Sequence, residues 1–323
     1  MAIRPSGSGR ALRTLLAALV VASVAVPLAG AVRPAAVPAP APAALVPLTA
    51  ATPAALDARY RAARDGIRAA ERMATGHGDR RRAAALRAMA APERHFLSFD
   101  GRDGGRTAEA VGDLAHADRI AVLVPGADTS LDKYGRFRAG AEALQREMGS
   151  RSAVVAWLGY PTPPTGSAGS LTTGRADRAA PRLDAFVREL GAARPGARMS
   201  VLCHSYGSVV CARAAPRLRA DTLVLYGSPG TGAHDVGRLH TRAAVWAGRA
   251  SGDWIADVPH LRLPLLVGTV GFGTDPVSEL FGARVFDAGH GGHSDYLKPG
   301  SVPLRNIALI ASGQTPTEER RHA

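Results

Sequence analysis

The sequence predicts an α/β fold: a mostly parallel, doubly wound sheet preceded by an antiparallel hairpin and a helical segment. Strand-like apolar runs alternate with helical stretches over residues 120–312, and this alternation places parallel strands side by side with helices on both faces. The 323 residues are 46% hydrophobic, which is enough apolar material for one sizeable core.

The first 31 residues have the order of a secretory signal peptide. Arg10 and Arg13 give a basic start, residues 15–28 are apolar, and Ala29-Gly30-Ala31 has the small-x-small form of a cleavage site. We expect cleavage near Ala31, so that the protein is secreted or held in the cell envelope. An uncleaved anchor is the alternative, although Pro27 interrupts a run that needs about 20 apolar residues to span a bilayer. No second stretch is long and apolar enough, so we expect no stable membrane insertion after processing.

The net charge of +13 comes almost entirely from arginine, since Lys133 and Lys298 are the only lysines. Alanine, arginine, glycine and proline are abundant throughout, as in proteins encoded by GC-rich DNA. No basic patch is interleaved with aromatic residues, as a nucleic-acid surface would require. We therefore expect no nucleic-acid partner.

The segment before the sheet divides into a tether and two helices. Residues 32–51 are nearly all proline, alanine, valine and leucine, which predicts a disordered or loosely extended tether. Thr52 and Pro53 have the form of a helix N-cap and first turn, and Asp79 is a second capping candidate. We assign residues 52–94 to these N-terminal helices.

The main domain is predicted over residues 95–313, with a polar tail at 314–323. It opens with strands at 95–99 and 106–114, joined by a glycine-rich turn. The remaining predicted strands lie at 120–124, 153–158, 199–203, 222–226, 243–247 and 283–286, and the helices at 131–148, 175–193, 206–218 and 302–312.

Residues 199–207 predict a buried strand that breaks sharply at Ser205. Enzymes that use an activated serine hold it on such a strained strand-to-helix turn, usually within Gly-x-Ser-x-Gly. Here Gly207 fills the last position, but Cys203 stands in place of the first glycine. A thiol is small enough for the close approach of strand and helix. The alternative is a serine in an ordinary turn.

Five segments carry a resemblance to a known family. They are Val122-Leu123-Val124-Pro125-Gly126, Trp157-Leu158-Gly159-Tyr160, Cys203-His204-Ser205-Tyr206-Gly207-Ser208, Gly227-Ser228-Pro229-Gly230 and His293-Ser294-Asp295-Tyr296-Leu297. Through them, residues 96–311 resemble the α/β-hydrolase superfamily, and most closely a family of uncharacterised bacterial α/β-hydrolases. The resemblance implies the α/β-hydrolase fold and a catalytic order of serine, acid and histidine, but no substrate.

A serine hydroxyl needs a base to remove its proton and an acid to orient that base. His293 heads the segment that matches the family and is the expected base, whereas His290 is expected to be a loop residue. Asp253 follows the strand at 243–247 and is the expected acid, with Asp257 and Asp275 as rivals. His204 is expected to point elsewhere.

The oxyanion of such a reaction needs two backbone N–H donors. Tyr206, directly after the nucleophile, and Ala127, in the turn after the strand at 120–124, are the candidates. We expect neither a cofactor nor a metal. His290 and His293 with Asp287 and Asp295 have no further ligand cluster beside them.

Cys203 and Cys211, the two cysteines of the chain, lie on either side of the nucleophile. In an exported protein they can form a disulfide if their Cα atoms lie within about 7 Å. Two small buried thiols are the other interpretation.

We therefore expect a secreted, monomeric serine hydrolase acting on an ester-like or other acyl bond of a small molecule or lipid, with thioester, peptide and acyl-transfer chemistry open. The loops at 160–174 and 257–282 are long enough to shape its entrance. The alternatives are a non-catalytic envelope protein that keeps the fold for binding, and an arginine-rich polyanion binder.

Overall fold

The computed structural model describes residues 37–258, 263–265 and 268–316. The predicted signal peptide, the first residues of the tether and most of the polar tail lie outside the described residues. The helices are α1 (Pro53–Gly76), α2 (Arg80–Met89), α3 (Tyr134–Met148), α4 (Gly174–Ala193), α5 (Gly207–Ala214) and α6 (Val302–Ala311). Within this part of the chain, no helix has the length and apolar character needed to cross a membrane.

The strands form one large sheet and one small hairpin. They are β1 (His95–Asp100), β2 (Arg106–Gly112), β3 (Arg119–Val124), β4 (Ser152–Leu158), β5 (Arg198–His204), β6 (Thr222–Tyr226), β7 (Ala244–Gly248), β8 (Leu263–Leu265), β9 (Gly268–Val270) and β10 (Arg284–Val285). The sheet order is β1-β2-β4-β3-β5-β6-β7-β10, and β8 pairs with β9. β1 and β2 are antiparallel to each other, β2 is antiparallel to β4, and the remaining pairs of the large sheet are parallel. The predicted fold class is confirmed.

Both faces of the sheet are covered, so its central strands are apolar throughout. On β3, Val122 belongs to the apolar cluster that includes α4 and α5, whereas the next residue, Leu123, belongs to the cluster of α1, α3 and α6. The parallel register aligns Val124 with Cys203, and His204 with Tyr226. The loops that follow β3, β5 and β6 therefore leave the same edge of the sheet, and the candidate functional site lies at this edge.

The N-terminal helices begin at the predicted caps. The Thr52 hydroxyl accepts a hydrogen bond from the Ala55 amide at 3.3 Å, and Pro53 occupies the first turn. Asp79 accepts one from the Arg82 amide at 2.9 Å. These bonds satisfy amides that have no partner within the helix.

The tether differs from the prediction where the structure describes it. Residues 37–51 contain neither helix nor strand, but they are not loose. Leu48 and Ala51 are buried, and their amides donate to Glu189 Oε1 at 2.8 Å and to the Ala193 carbonyl at 2.9 Å. A composition suited to a linker therefore becomes an extended segment docked on α4, because its apolar residues find a surface to cover.

Two further elements differ from the sequence prediction. The helix after Ser205 was expected to reach residue 218, but α5 ends at Ala214. Pro216 follows this end and has no N–H to continue the helix. The long segment at 257–282 contains the β8–β9 hairpin, which the sequence did not predict.

A disulfide joins Cys203 at the end of β5 to Cys211 in α5, with the Cα atoms 6.4 Å apart. Both residues are fully buried. Of the two interpretations of the cysteines, the structure therefore has the disulfide. The crosslink encloses the strand-to-helix turn that carries Ser205.

Replacing both cysteines by alanine should lower the free energy of unfolding by about 2–3 kcal/mol, because the crosslink restricts a short loop of the unfolded chain. Urea unfolding followed by far-UV circular dichroism measures the change. Wild-type protein unfolded with a reductant is the control and should unfold at the midpoint of the double variant. Equal midpoints for oxidised wild type and variant would contradict this account.

Candidate active site

Ser205 occupies a strained turn between β5 and α5. Its φ is +52°, in the left-handed region that non-glycine residues rarely adopt. The Ser205 amide donates to the Tyr226 carbonyl at 3.1 Å, so the turn is held to the neighbouring strand. The Ser208 amide donates to the Ser205 carbonyl at 2.9 Å as the helix begins. Ser205 therefore lies at the N-terminus of α5 on a fixed backbone.

Two glycines allow the close approach of chain segments that this turn requires. A Cβ on Gly207 would lie 2.6 Å from the Val124 carbonyl oxygen, and one on Gly126 would lie 2.6 Å from the Cβ of Ser205. Both distances are shorter than a side-chain carbon tolerates. The turn after β3 therefore packs directly against Ser205. A side chain at position 126 or 207 would prevent this packing.

The side chain of His293 lies between Ser205 and Asp253. Its Nε2 is 2.9 Å from Ser205 Oγ, and its Nδ1 is 2.8 Å from Asp253 Oδ1 and 3.0 Å from Oδ2. A carboxylate only accepts hydrogen bonds, so Nδ1 carries the proton and Nε2 is left to accept from the serine hydroxyl. The structure thus brings together the three residues that the sequence assigned to nucleophile, base and acid.

Asp253 is buried in the turn after β7 and remains ionised. Burial alone would raise its pKa, but hydrogen bonds from His293, Tyr296 and the Ile255 amide outweigh burial and lower the pKa below the usual value. The Tyr296 hydroxyl donates to Oδ2 at 2.6 Å and the Ile255 amide to Oδ1 at 2.9 Å. A buried negative charge is therefore held beside His293.

The rival residues have other surroundings. Asp257 is exposed in a short 3₁₀-helix, and Asp275 accepts a hydrogen bond from Arg249. His290 Nδ1 pairs with Ser251 Oγ at 2.7 Å, while Asp295 pairs with Lys298. In the described part of the chain, no group of three or more histidine, cysteine or carboxylate side chains is placed to hold a metal ion.

The two predicted oxyanion donors belong to the two segments that meet at Ser205. Tyr206 is the N-cap of α5, and Ala127 follows the Gly126 turn that contacts Ser205. Among the hydrogen bonds within the described residues, none is donated by the backbone amide of Tyr206 or Ala127. The Tyr160 hydroxyl donates to the Pro125 carbonyl at 2.6 Å and steadies the Ala127 turn.

His204 was expected to point elsewhere, but its side chain contacts the loop that carries His293. Its Nε2 lies 2.8 Å from the His293 carbonyl oxygen, and the two imidazole rings are 4.7 Å apart. Burial and the neighbouring His293 lower the pKa of His204 to about 3, so the ring is neutral. In the sequence, the position of His204 directly before Ser205 was the only local signal for this contact.

Tyr296 is a second residue for which the sequence analysis assigned no role. Its hydroxyl donates to Asp253 Oδ2 and accepts from the Ala250 amide at 3.1 Å. Burial and the hydrogen bond to Asp253 raise the pKa of Tyr296 well above its usual value, so the hydroxyl keeps its proton. The sequence signal for a role of Tyr296 was its position three residues after His293, in the segment that resembles the family.

Aromatic side chains and two long loops lie beside the site. The Trp254 ring lies 4.8 Å from the His293 ring and is 49% exposed. The loop at 160–174 adjoins Tyr206, whose hydroxyl donates to the Thr172 carbonyl at 2.8 Å. Phe272, from the other long loop, packs edge-on against the Tyr206 ring. Both loops predicted to shape the entrance therefore contact the residue that follows Ser205.

A family model described as "Alpha/beta hydrolase" matches residues 100–263. The matched range contains Ala127, Ser205, Tyr206 and Asp253, and it ends before His293. Uncharacterized protein Rv2079 of Mycobacterium tuberculosis is 32% identical over 257 residues, covering 67% of this chain and 38% of that protein. The chain thus spans well under half of the length of this curated relative.

Solved structures with a similar fold include the α/β serine hydrolase XC6422 of Xanthomonas campestris, described as lacking a lid. It has 19% identity and a TM-score of 0.44, and the match covers 68% of this chain and 94% of that one. Carboxyl esterase 2 of the fungus Tuber melanosporum has 12% identity and a TM-score of 0.44, with 69% and 86% of the two chains covered. Both similarities are distant.

The buried, neutral His204 should make the protein less stable in mild acid. Its usual pKa of 6.5 falls to about 3 in the fold, so below about pH 6.5 the unfolded chain takes up a proton that the folded chain does not. The free energy of unfolding should fall by up to about 1.4 kcal/mol per pH unit between these values. His204→Gln should remove this contribution.

Urea unfolding of wild type and His204→Gln between about pH 7 and pH 4 measures the two slopes. The groups facing His204 are His293, Asp253, Tyr226 and Tyr296, and all four remain in the variant. Equal slopes for the two proteins would show that His204 is not held neutral in the folded state.

Proposed function

The chain belongs to the alpha/beta hydrolase family, and from this premise we propose that it is a serine hydrolase that cleaves an ester-like or other acyl bond. The observation that carries the proposal is the continuous hydrogen-bonded path from Asp253 through both ring nitrogens of His293 to the Ser205 hydroxyl. This path supplies a nucleophile, a base and a group that orients the base.

In the proposed reaction, His293 Nε2 removes the hydroxyl proton as Ser205 Oγ attacks the substrate carbonyl carbon. Asp253 stabilises the imidazolium that forms. The tetrahedral intermediate collapses, its bond to the leaving group breaks, and the leaving group takes the proton from Nε2. Water, deprotonated by His293 Nε2 in turn, then attacks the acyl carbon on Ser205. The bond between this carbon and Oγ breaks, Oγ takes the proton back from Nε2, and the carboxylic acid leaves.

The amides of Tyr206 and Ala127 are the proposed donors to the oxyanion. Tyr206 lies at the N-terminus of α5, where backbone N–H groups point out of the helix. The close packing of Gly126 against Ser205 brings the Ala127 turn beside the nucleophile. Donors fixed in advance in this way stabilise developing charge without reorganisation at the moment of reaction.

The exposed Trp254 beside His293 favours a substrate with an apolar part, such as a carboxylic ester or a lipid. Thioesters, peptides and acyl transfer would use the same residues.

We propose that the protein is exported, since the N-terminal sequence has signal-peptide order and the chain contains a disulfide, a bond typical of oxidising compartments. We expect it to act as a monomer.

A fluorophosphonate probe should label the purified protein at Ser205, as mapped by peptide mass spectrometry. Ser205→Ala and His293→Ala should abolish labelling. Asp253→Asn should slow it by about 10⁴-fold, because the base loses the charge that orients and stabilises it. Asp257→Asn, which neutralises an exposed carboxylate four residues away, is the matched control and should label at the wild-type rate. Absence of labelling in folded wild type would favour the non-catalytic binding protein.

Tyr296→Phe should reduce activity at low pH more than at neutral pH. Without the tyrosine hydroxyl, Asp253 loses one of the hydrogen bonds that lower its pKa, so its pKa rises and the carboxylate is protonated at higher pH. The acid side of the activity profile for p-nitrophenyl butyrate should therefore move to higher pH.

Tyr226→Phe is the matched control for this measurement, since the Tyr226 ring packs 5.3 Å from Tyr296 in the same cluster. It removes a buried hydroxyl from the same region and should leave the profile in place. Identical profiles for wild type and Tyr296→Phe would contradict the proposed influence of Tyr296 on Asp253.

A further inference from the structure

We propose that His204 is a positioning residue of this site, whose Nε2–H donates to the His293 carbonyl and fastens the histidine loop to the nucleophile turn. The inference deepens the proposed function and rests on it. It concerns how His293 is held, since His204 itself does not reach the hydroxyl of Ser205 in the observed network.

The contact joins two parts of the site that are far apart in sequence. His204 and His293 are separated by 89 residues, and the bond between them measures 2.8 Å. The side chain of His293 contacts Ser205 while its backbone carbonyl contacts the preceding residue, His204. His293 is therefore tied to two adjacent residues of one turn, and the bond to the carbonyl limits how far its backbone can move from the nucleophile.

The loop that carries His293 is rich in glycine. It contains Gly289, Gly291 and Gly292 directly before His293, and the structure shows turns rather than helix or strand there. Glycine loses more conformational freedom on ordering than any other residue. His204, in contrast, is the last residue of β5 and pairs with Tyr226 in the central sheet. The hydrogen bond thus anchors a glycine-rich loop to a strand of the central sheet.

The chemistry of the contact determines the proton position on His204. A carbonyl oxygen only accepts hydrogen bonds, so Nε2 carries the proton. Burial and His293 hold the pKa of His204 at about 3, which keeps the ring neutral with its proton on Nε2 in the pH range where a serine hydrolase works. A neutral ring also avoids repelling the imidazolium that His293 becomes, at a ring distance of 4.7 Å.

The matched variants are His204→Gln and His204→Met. Both have unbranched side chains of the same length, but only glutamine carries an N–H donor at its end. His204→Met should lower the rate of fluorophosphonate labelling of Ser205, and kcat for p-nitrophenyl butyrate, by about 10–100-fold, because the base is no longer held in reacting geometry. KM should change little. His204→Gln should stay within about threefold of wild type if its amide restores the hydrogen bond.

His116→Met is the control for the substitution itself, since His116 is exposed and pairs with Asp113 away from this site. Wild-type labelling and kcat in folded His204→Met would overturn the proposal, and so would equal losses in the methionine and glutamine variants, which would indicate ring packing alone. If His204→Met does not fold, His204→Asn, whose amide is too short to reach the carbonyl, takes its place. Failure of wild type to label would overturn the proposed function and this inference together.

Discussion

The close approach of strand and helix at Ser205 is the constraint on which the rest of the site depends. The residue is held at a φ of +52°, a conformation that costs about 1–2 kcal/mol and persists only where the surrounding structure enforces it. Here the enforcement comes from the Cys203–Cys211 crosslink, from the bond of the Ser205 amide to β6, and from two glycines that let neighbouring segments pack against the turn. The hydroxyl is thereby presented at the edge of the sheet.

The parallel sheet supplies the other groups at the same edge. Asp253 follows β7, and the loop after β10 carries His293, so residues distant in sequence meet beside the loop after β5. Their electrostatic environments are opposite: Asp253 is kept ionised by hydrogen bonds, whereas His204 is kept neutral by burial. The negative charge of Asp253 therefore lies behind His293, and the neighbouring ring of His204 adds no competing positive charge.

The fold could be predicted from the sequence because its signals are local: strands and helices alternate with clear periods. The turn at Ser205 could be predicted for the same reason. The contact of His204 with His293 could not, since it spans 89 residues and no local pattern encodes the direction of a side chain across two loops. The sequence did not decide whether Cys203 and Cys211 form a disulfide, because this depends on the distance between their Cα atoms across the turn. The docking of the tether on α4 was missed because amino-acid composition indicates how stiff a segment is, and not which surface it packs against.

Detection of an acyl-enzyme tests the central claim most directly. The protein is mixed with p-nitrophenyl butyrate, quenched in acid during turnover, digested and analysed by mass spectrometry. The account predicts one butyryl group on the peptide that contains Ser205, present during turnover and lost once the ester is consumed. Hydrolysis of the ester by folded protein with no acyl group on Ser205 at any time would contradict it.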